Sequence, residues 1–223
     1  MNATVRTVMS THVVAVRKSA SFKEMAAILR EQRVSAFPVI DDDCRVIGVV
    51  SEADLLTKEA LDGVIPGVFT GRFRHQEKTK AEGVTAGELM TSPAVTVGPD
   101  EPVTRAAQMM YGSWVKRLPV VDAAGRLIGI VTRADVLAIY DRKDSDIRGE
   151  IVEQVILKHH LCDPANFTVT VADGVVSLEG APETAFVGRD IVEEAKHVEG
   201  VVAVRDRLSY PPREHRFDPA SQM

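Results

Sequence analysis

Gly129-Ile130-Val131-Thr132-Arg133-Ala134-Asp135 has a twin 81 positions upstream, Gly48-Val49-Val50-Ser51-Glu52-Ala53-Asp54. Each copy runs from an apolar strand to a hydroxyl, then to an acid three places on, and then into a helix. Such a junction gathers a hydroxyl, a carboxylate and several backbone N–H groups at one helix start, a setting that suits a sugar-phosphate. The same spacing also satisfies a capping box, in which Ser or Thr caps the helix and the acid reaches back, with no ligand required.

The twin belongs to a longer repeat. At the same offset Met9 matches Met90, Val14 matches Val95, Pro38-Val39 matches Pro119-Val120 and Asp41 matches Asp122. Arg45, Ile47 and Gly48 match Arg126, Ile128 and Gly129, and no gap is needed. A fixed internal period is a statement about architecture. In order, each copy offers a Pro-Val-Ile/Val-Asp strand, an Ile-Gly-Val/Ile-Val strand and a Ser/Thr-x-x-Asp helix start. On these elements each copy resembles a CBS motif, and the tandem over residues 3–140 resembles a Bateman module. The resemblance implies two pseudo-symmetric β-α-β-β-α motifs, an α+β or α/β architecture. It also implies a cleft that takes an adenosine compound such as AMP, ADP, ATP or S-adenosylmethionine, although some members take none.

The 223 residues suffice for one large or two ordinary domains. Hydrophobic residues make up 45%, so a core is available, and the net charge of -5 excludes a generic nucleic-acid binder. No apolar run approaches the roughly 20 residues of a membrane span, and Met1 to Ser10 lacks a signal layout. Cys44 and Cys162 fall in different expected domains and are read as thiols. These features point to the cytoplasm and against a membrane.

The expected first motif spans 1–61. Val13 to Val16 is a short strand, Ser21-Phe22-Lys23-Glu24 opens a helix, and Met25, Ile28 and Leu29 give it an apolar face. Strands follow at Phe37 to Ile40 and Val46 to Val50, and the helix after Ser51 runs to about Leu61. Residues 62–84 break the repeat. Their basic run, Arg72, Arg74, Lys78 and Lys80, reads as a solvated linker ahead of an arm for an anionic partner. The second motif, 85–142, repeats the scheme, with Val95 to Val97 as its short strand and a last helix to about Arg142. Trp114, the single tryptophan, aligns with Arg33 and either stacks on a purine or covers a dimer surface.

From residue 143 the period changes to helix, hairpin, helix, strand. Ile147, Ile151 and Val155 mark the first helix, and Asp173-Gly174 is a hairpin turn between the Phe167 and Val176 strands. A helix from Pro182 to His197 ends at Gly200, and Val202, Val204 and Leu208 alternate on a last strand. Gly174-Val175-Val176-Ser177-Leu178-Glu179-Gly180 and Gly200-Val201-Val202-Ala203-Val204 resemble a BON domain over 143–210. Relatives of that kind are associated with phospholipid or envelope surfaces. Here residues 141–210 carry fourteen acids against eight lysines and arginines, a net of -6, which an anionic membrane repels. A protein contact is therefore the favoured role. His159-His160 are expected to point to different sides without a third ligand, so no metal is expected. Residues 211–223 read as a disordered tail.

No paired nucleophile and base, Walker loop or His-Glu-x-x-His is present, and a non-enzyme is expected. The favoured reading is a regulatory sensor that needs no cofactor, takes adenine nucleotide as its ligand and signals through a homodimer or the BON domain to an unidentified protein. The alternatives are a constitutive scaffold and a membrane adaptor. By the resemblance, Asp54 or Asp135 accepts ribose hydroxyls and Ser51 or Thr132 faces phosphate. The backbone before Pro38 or Pro119 (Ala36 and Phe37, or Arg117 and Leu118) reads the adenine edge beside the short strand at Val13-Val14 or Ala94-Val95, and a crossing over of residues from the other copy or from the basic linker is left open. Lys116, Arg117 and Arg133 replace Ser35, Ala36 and Glu52 of the first copy. The second copy's cleft is thus expected to hold the phosphorylated ligand, and the first to bind weakly, to take an uncharged ligand or to stay empty.

Overall fold

The computed structural model describes residues 3–61 and 84–211, the side chains of 58–61 excepted. The basic linker run and the tail beyond Pro211 lie outside the described residues. The chain divides into one unit, Thr4–Val136, and a second that comprises Leu137–Met223 with Met1–Ala3.

The first unit holds both repeats. Short helix α1 (Val5–Val8) precedes β1 (Val16–Arg17), α2 (Phe22–Gln32), β2 (Ala36–Ile40), β3 (Val46–Ser51) and α3 (Glu52–Leu61). The second copy runs through α4 (Ala86–Leu89), α5 (Val103–Gly112), β4 (Arg117–Val121), β5 (Leu127–Thr132) and α6 (Arg133–Leu137), with a 3-10 turn at Ala138–Tyr140. Ser21 caps α2 with a reciprocal box: its Oγ accepts from Glu24 N–H at 3.3 Å and its N–H donates to the Glu24 carboxylate at 3.4 Å. Met25 on that helix is fully buried.

In each copy the two long strands pair antiparallel, and both pairs shift register at the equivalent place, between Val39 and Ile40 and between Val120 and Val121. The short strand is smaller than the apolar run of Val13 to Val16 implies. Only Val16–Arg17 pairs, parallel to β2, and its counterpart is a single bridge from Val97 to Val120. The preceding residues are used differently, because the leading segments are exchanged. Val5 of α1 is buried in the second copy's core with Val97, Met110 and Val131, while Ala86 and Leu89 of α4 are buried in the first copy's core with Met25, Phe37 and Val50. Backbone bridges follow the exchange: Ser10 pairs with Ile130, and Thr91 pairs with Val49.

The matched methionines and glycines explain each other. A Cβ on Gly129 would stand 2.7 Å from Met9 Sδ, and a Cβ on Gly48 would meet the Met90 side chain, with Cγ at 2.9 Å. Each thioether lies over the other copy's glycine, so the glycine is a condition of the exchange.

In the second unit, α7 (Asp144–Glu150) continues into a wide helical stretch at Ile151–His159 with i→i+5 bonding. The wide turn lets neighbouring Val155 and Ile156 both enter the core along with Ile147 and Ile151. Then come β6 (Phe167–Ala172), β7 (Val175–Gly180), α8 (Ala185–Lys196) and β8 (Ala203–Leu208). The sheet order is β6-β7-β8, with β6 antiparallel and β8 parallel to β7. Asp173 and Gly174 turn the hairpin at φ 51 and 72, the left-handed pair that a two-residue turn requires. The Asp144 carboxylate accepts from both of their N–H groups, at 2.8 and 2.9 Å. Thr184 caps α8, which buries Ile191, Val192 and Ala195.

Candidate functional site

The two junctions have the same geometry. Ser51 ends β3 opposite Ala36, and Thr132 ends β5 opposite Arg117. Asp54 Oδ2 accepts from Ser51 N–H at 2.8 Å and from Ser51 Oγ at 2.7 Å. Asp135 Oδ2 accepts from Thr132 N–H at 2.7 Å and from Thr132 Oγ1 at 2.8 Å. Both pairs therefore act as helix caps, the role the spacing allows without a ligand. The cap also fixes each carboxylate at the strand-to-helix corner.

At the first junction the corner opens into a cleft of 450 Å³, within the range of small-molecule sites. Its walls come from both copies. Ala36, Val49, Ser51, Asp54 and Leu56 belong to the first, and Pro93, Ala94, Val95, Lys116 and Arg117 to the second. The Arg117 guanidinium donates to the Ala36 carbonyl at 3.1 Å and to Ser35 Oγ. Burial draws that guanidinium below its ordinary value, and the charges of Glu52 and Asp135 push it back up. Arg117 thus stands between the two acidic corners. Across the repeat, Glu52 N–H donates to Ser35 C=O at 3.0 Å as Arg133 N–H donates to Lys116 C=O at 3.1 Å.

Of the residues expected at a site, Ala36, Ser51, Asp54, Ala94, Val95, Lys116 and Arg117 line this one cleft. That corrects their grouping. Ala94-Val95 do not serve the Thr132–Asp135 corner but face Ser51 and Asp54, because the segment behind Thr91 is carried into the first copy by its bridge to Val49. Lys116 and Arg117, whose strand stays paired with the one that ends at Thr132, also line the cleft at the corner that holds Glu52. In the reverse direction, the Ser10 bridge brings the segment leading to Val13-Val14 toward the strand that ends at Thr132. Arg133, expected on phosphate, donates to the Val115 carbonyl at 3.1 Å. Phe37, Pro38, Leu118 and Pro119 are buried, and none of them lines the first cleft. Sequence reasoning missed Thr91, Pro93 and Leu56, which also line it. The gapless repeat marks these positions but does not say which copy receives them.

His159 and His160 do not point apart. His159 Nδ1 lies 3.1 Å and His160 Nε2 lies 3.4 Å from Glu194 Oε2. The second approach is close without hydrogen-bond alignment, and that buried nitrogen has no hydrogen-bond partner. The wide helical turn is what swings neighbouring side chains toward one carboxylate. Among the described residues, no cluster of three or more His, Cys, Asp or Glu is arranged to hold a metal ion. Nor is any helix there long and apolar enough to cross a membrane. Cys44 and Cys162 are free thiols.

A family model for the CBS domain matches residues 5–60 and 86–142, and one for the BON domain matches residues 143–212. The chloroplastic CBS domain-containing protein CBSX2 of Arabidopsis thaliana is 35% identical over 133 residues, which take in 55% of this chain and 56% of that protein. The chain spans about half the length of the curated relatives it matches. A homoserine O-acetyltransferase of Methanohalobium evestigatum is 27% identical over a stretch that makes up 22% of the enzyme. Among solved structures, CBSX2 in complex with AMP matches with a TM-score of 0.53 at 32% identity, covering 60% of this chain and 94% of that one. The CBS domain pair of protein MJ0100, in complex with 5′-methylthioadenosine and S-adenosyl-L-methionine, matches with a TM-score of 0.52 over 63% of this chain and 98% of that one. Its identity is 23%, so that likeness is one of fold.

Proposed function

The chain belongs to the CBS-domain proteins and carries a BON domain behind its CBS pair, and from that premise we propose that it is a non-enzymatic sensor of an adenosine-containing ligand. The ligand sits in the Ser51–Asp54 cleft. The observation that carries this reading is the composition of the cleft. A hydroxyl and an acid at a helix start share the cleft with Lys116 and Arg117 from the other copy and with apolar Ala36, Val49 and Val95. The acid suits ribose hydroxyls, the cations suit phosphate, and the apolar wall suits a base. The AMP complex of CBSX2 supports the choice of an AMP-like ligand. The small share of the acetyltransferase that matches supports reading the CBS pair as a module that accompanies enzymes rather than as the enzyme.

The working boundaries are CBS motifs at 1–61 and 85–142 and the BON domain at 143–210. The sensor is cytoplasmic and homodimeric through its CBS helices, binds neither nucleic acid nor membrane, and passes its state through the dimer or the BON domain to a protein partner. Light scattering at tens of micromolar tests the dimer, and a monomer refutes it. Mass spectrometry of small molecules released from the denatured protein, with calorimetry of AMP and ATP, tests the ligand. Asp54→Ala is expected to weaken AMP binding far more than Asp135→Ala. The reverse order would return the site to the second corner.

A constitutive scaffold is the second reading. It is favoured by the caps themselves, since Ser51 and Asp54 bond each other without a ligand. Wild-type protein that binds no adenosine compound would establish it.

A further inference from the structure

Trp114 stands on the rim of the Ser51–Asp54 cleft with 85% of its surface exposed. With Tyr111, which is also exposed, it forms a contiguous aromatic patch beside the cleft, the kind of exposed apolar surface that marks a binding site. Two features fix its position. Its backbone is left-handed, at φ 57, a conformation that residues with a Cβ adopt sparingly. Its ring stacks on Tyr111, with centroids 6.3 Å apart and planes inclined by 23°, and Tyr111 is itself 80% exposed. The indole is therefore held in place by a partner that is outside the core and leaves it accessible.

The repeat separates the backbone from the side chain. Arg33, the equivalent residue of the first copy, has the same left-handed backbone at φ 53. The turn thus belongs to the architecture of both copies, while the indole belongs to one cleft alone. That cleft is the one in which Asp54, Lys116 and Arg117 meet.

We propose that Trp114, backed by Tyr111, is an aromatic lid that stacks on the base of the ligand in the Ser51–Asp54 cleft and gives that cleft its preference for a planar purine. This rests on reading the cleft as an adenosine site. A planar π face recognises the base, and the hydroxyl, acid and cations recognise the rest. A sugar phosphate without a base makes the second set of contacts and not the first.

The full chain carries its own probe, because Trp114 is the single tryptophan. AMP is expected to change the tryptophan emission on binding, and ribose 5-phosphate is expected to leave it unchanged. Trp114→Ala is expected to weaken AMP by about five- to a hundredfold, the range for loss of one base–aromatic stack. Trp114→Phe keeps most of the affinity, and ribose 5-phosphate binds the alanine variant as it binds wild type. The melting temperature and the mass by light scattering stay the same in both variants. Calorimetric AMP binding without an emission change and with full affinity in Trp114→Ala sinks the lid while leaving the adenosine site intact. A fall in oligomeric mass in Trp114→Ala also overturns it, because the indole then covers a second copy. If AMP does not bind wild type at all, the adenosine site fails and the lid fails with it.

Discussion

Arg117→Ala should separate AMP from adenosine. The guanidinium spends its hydrogen bonds on neutral acceptors, the Ala36 carbonyl at 3.1 Å and the Ser35 hydroxyl. A phosphate in the cleft would replace these neutral acceptors with an anionic one, which moves each bond from the lower toward the upper end of the about 1.5–3 kcal/mol range for bonds to charged groups. The net is about 1–2 kcal/mol, or roughly five- to thirtyfold in Kd. Burial of the guanidinium adds to the contrast with water, since a half-buried cation gains more from an anion than an exposed one does. Adenosine brings no phosphate, so its affinity should stay near that of wild type. Arg117→Lys keeps the charge but loses the planar fork, and should fall between wild type and alanine for AMP. Isothermal calorimetry with both ligands on the three proteins reads the result. Equal losses for AMP and adenosine, or no loss for AMP, would refute a phosphate role for Arg117 and leave it as a brace between Ser35-Ala36 and the Thr132 corner.

Three further outcomes are expected. Gly48→Ala should destabilise the first unit by about 1–3 kcal/mol through overpacking, because the new Cβ would stand 3.0 Å from Met90 Cβ and against its sulfur. Chemical denaturation should show part of that loss restored by adding Met90→Ala, and additive losses would remove the Met–Gly contact as the cause. The Tyr210 phenol is pushed up to about 12 by burial and by its hydrogen bond to and the charge of Asp206, so its folded value lies above an unfolded value near 10. That contribution to stability is present below about pH 10 and is lost as pH rises toward about 12. Ultraviolet phenolate titration should find one of the three tyrosines late and should lose the late component in Tyr210→Phe; three coincident transitions would count against it. Residues 143–212 on their own should not sediment with anionic vesicles, given their acidic excess, and salt-sensitive sedimentation would favour the membrane-adaptor alternative.

Much of the fold is legible because it is local. The Ser21 box, the Asp173-Gly174 turn and the paired long strands each depend on a few neighbouring residues and form as the pattern implies, and the helix expected from Pro182 to His197 forms from Ala185 to Lys196. Two features were not legible. The stretch after Ile147 has apolar residues at four-residue steps, which an ordinary helix accommodates, so nothing marks the wide turn that buries Val155 and Ile156 together. The leading helices have four residues each, too short for any period, and the apolar run of Val13 to Val16 reads as a strand that forms only at its end. For the site, the residue types were legible and their partners were not. A gapless repeat makes the two copies interchangeable in pattern, so it is silent on whether Val5 packs into its own copy or the other.

That silence decides the chemistry of the clefts. Arg117 is paired with Thr132 and Lys116 is bonded to Arg133, yet both also line the cleft that holds Glu52. The exchange carries Ala94-Val95 to the Ser51 corner, where Lys116 and Arg117 also reach, so two cations now share a cleft with Glu52 and Asp54. A ligand there would be held by both copies at once. Its acid contacts lie at the end of β3 in the first, and its cations lie at the start of β4 in the second. A ligand biases a conformational equilibrium only through contacts that differ between the two states. Groups on opposite halves of a repeat meet that condition whenever the halves shift against each other. Groups on a single half move together and do not. On the proposed reading, the same exchange that conceals the site from the sequence would therefore let occupancy of this cleft be converted into a change of arrangement.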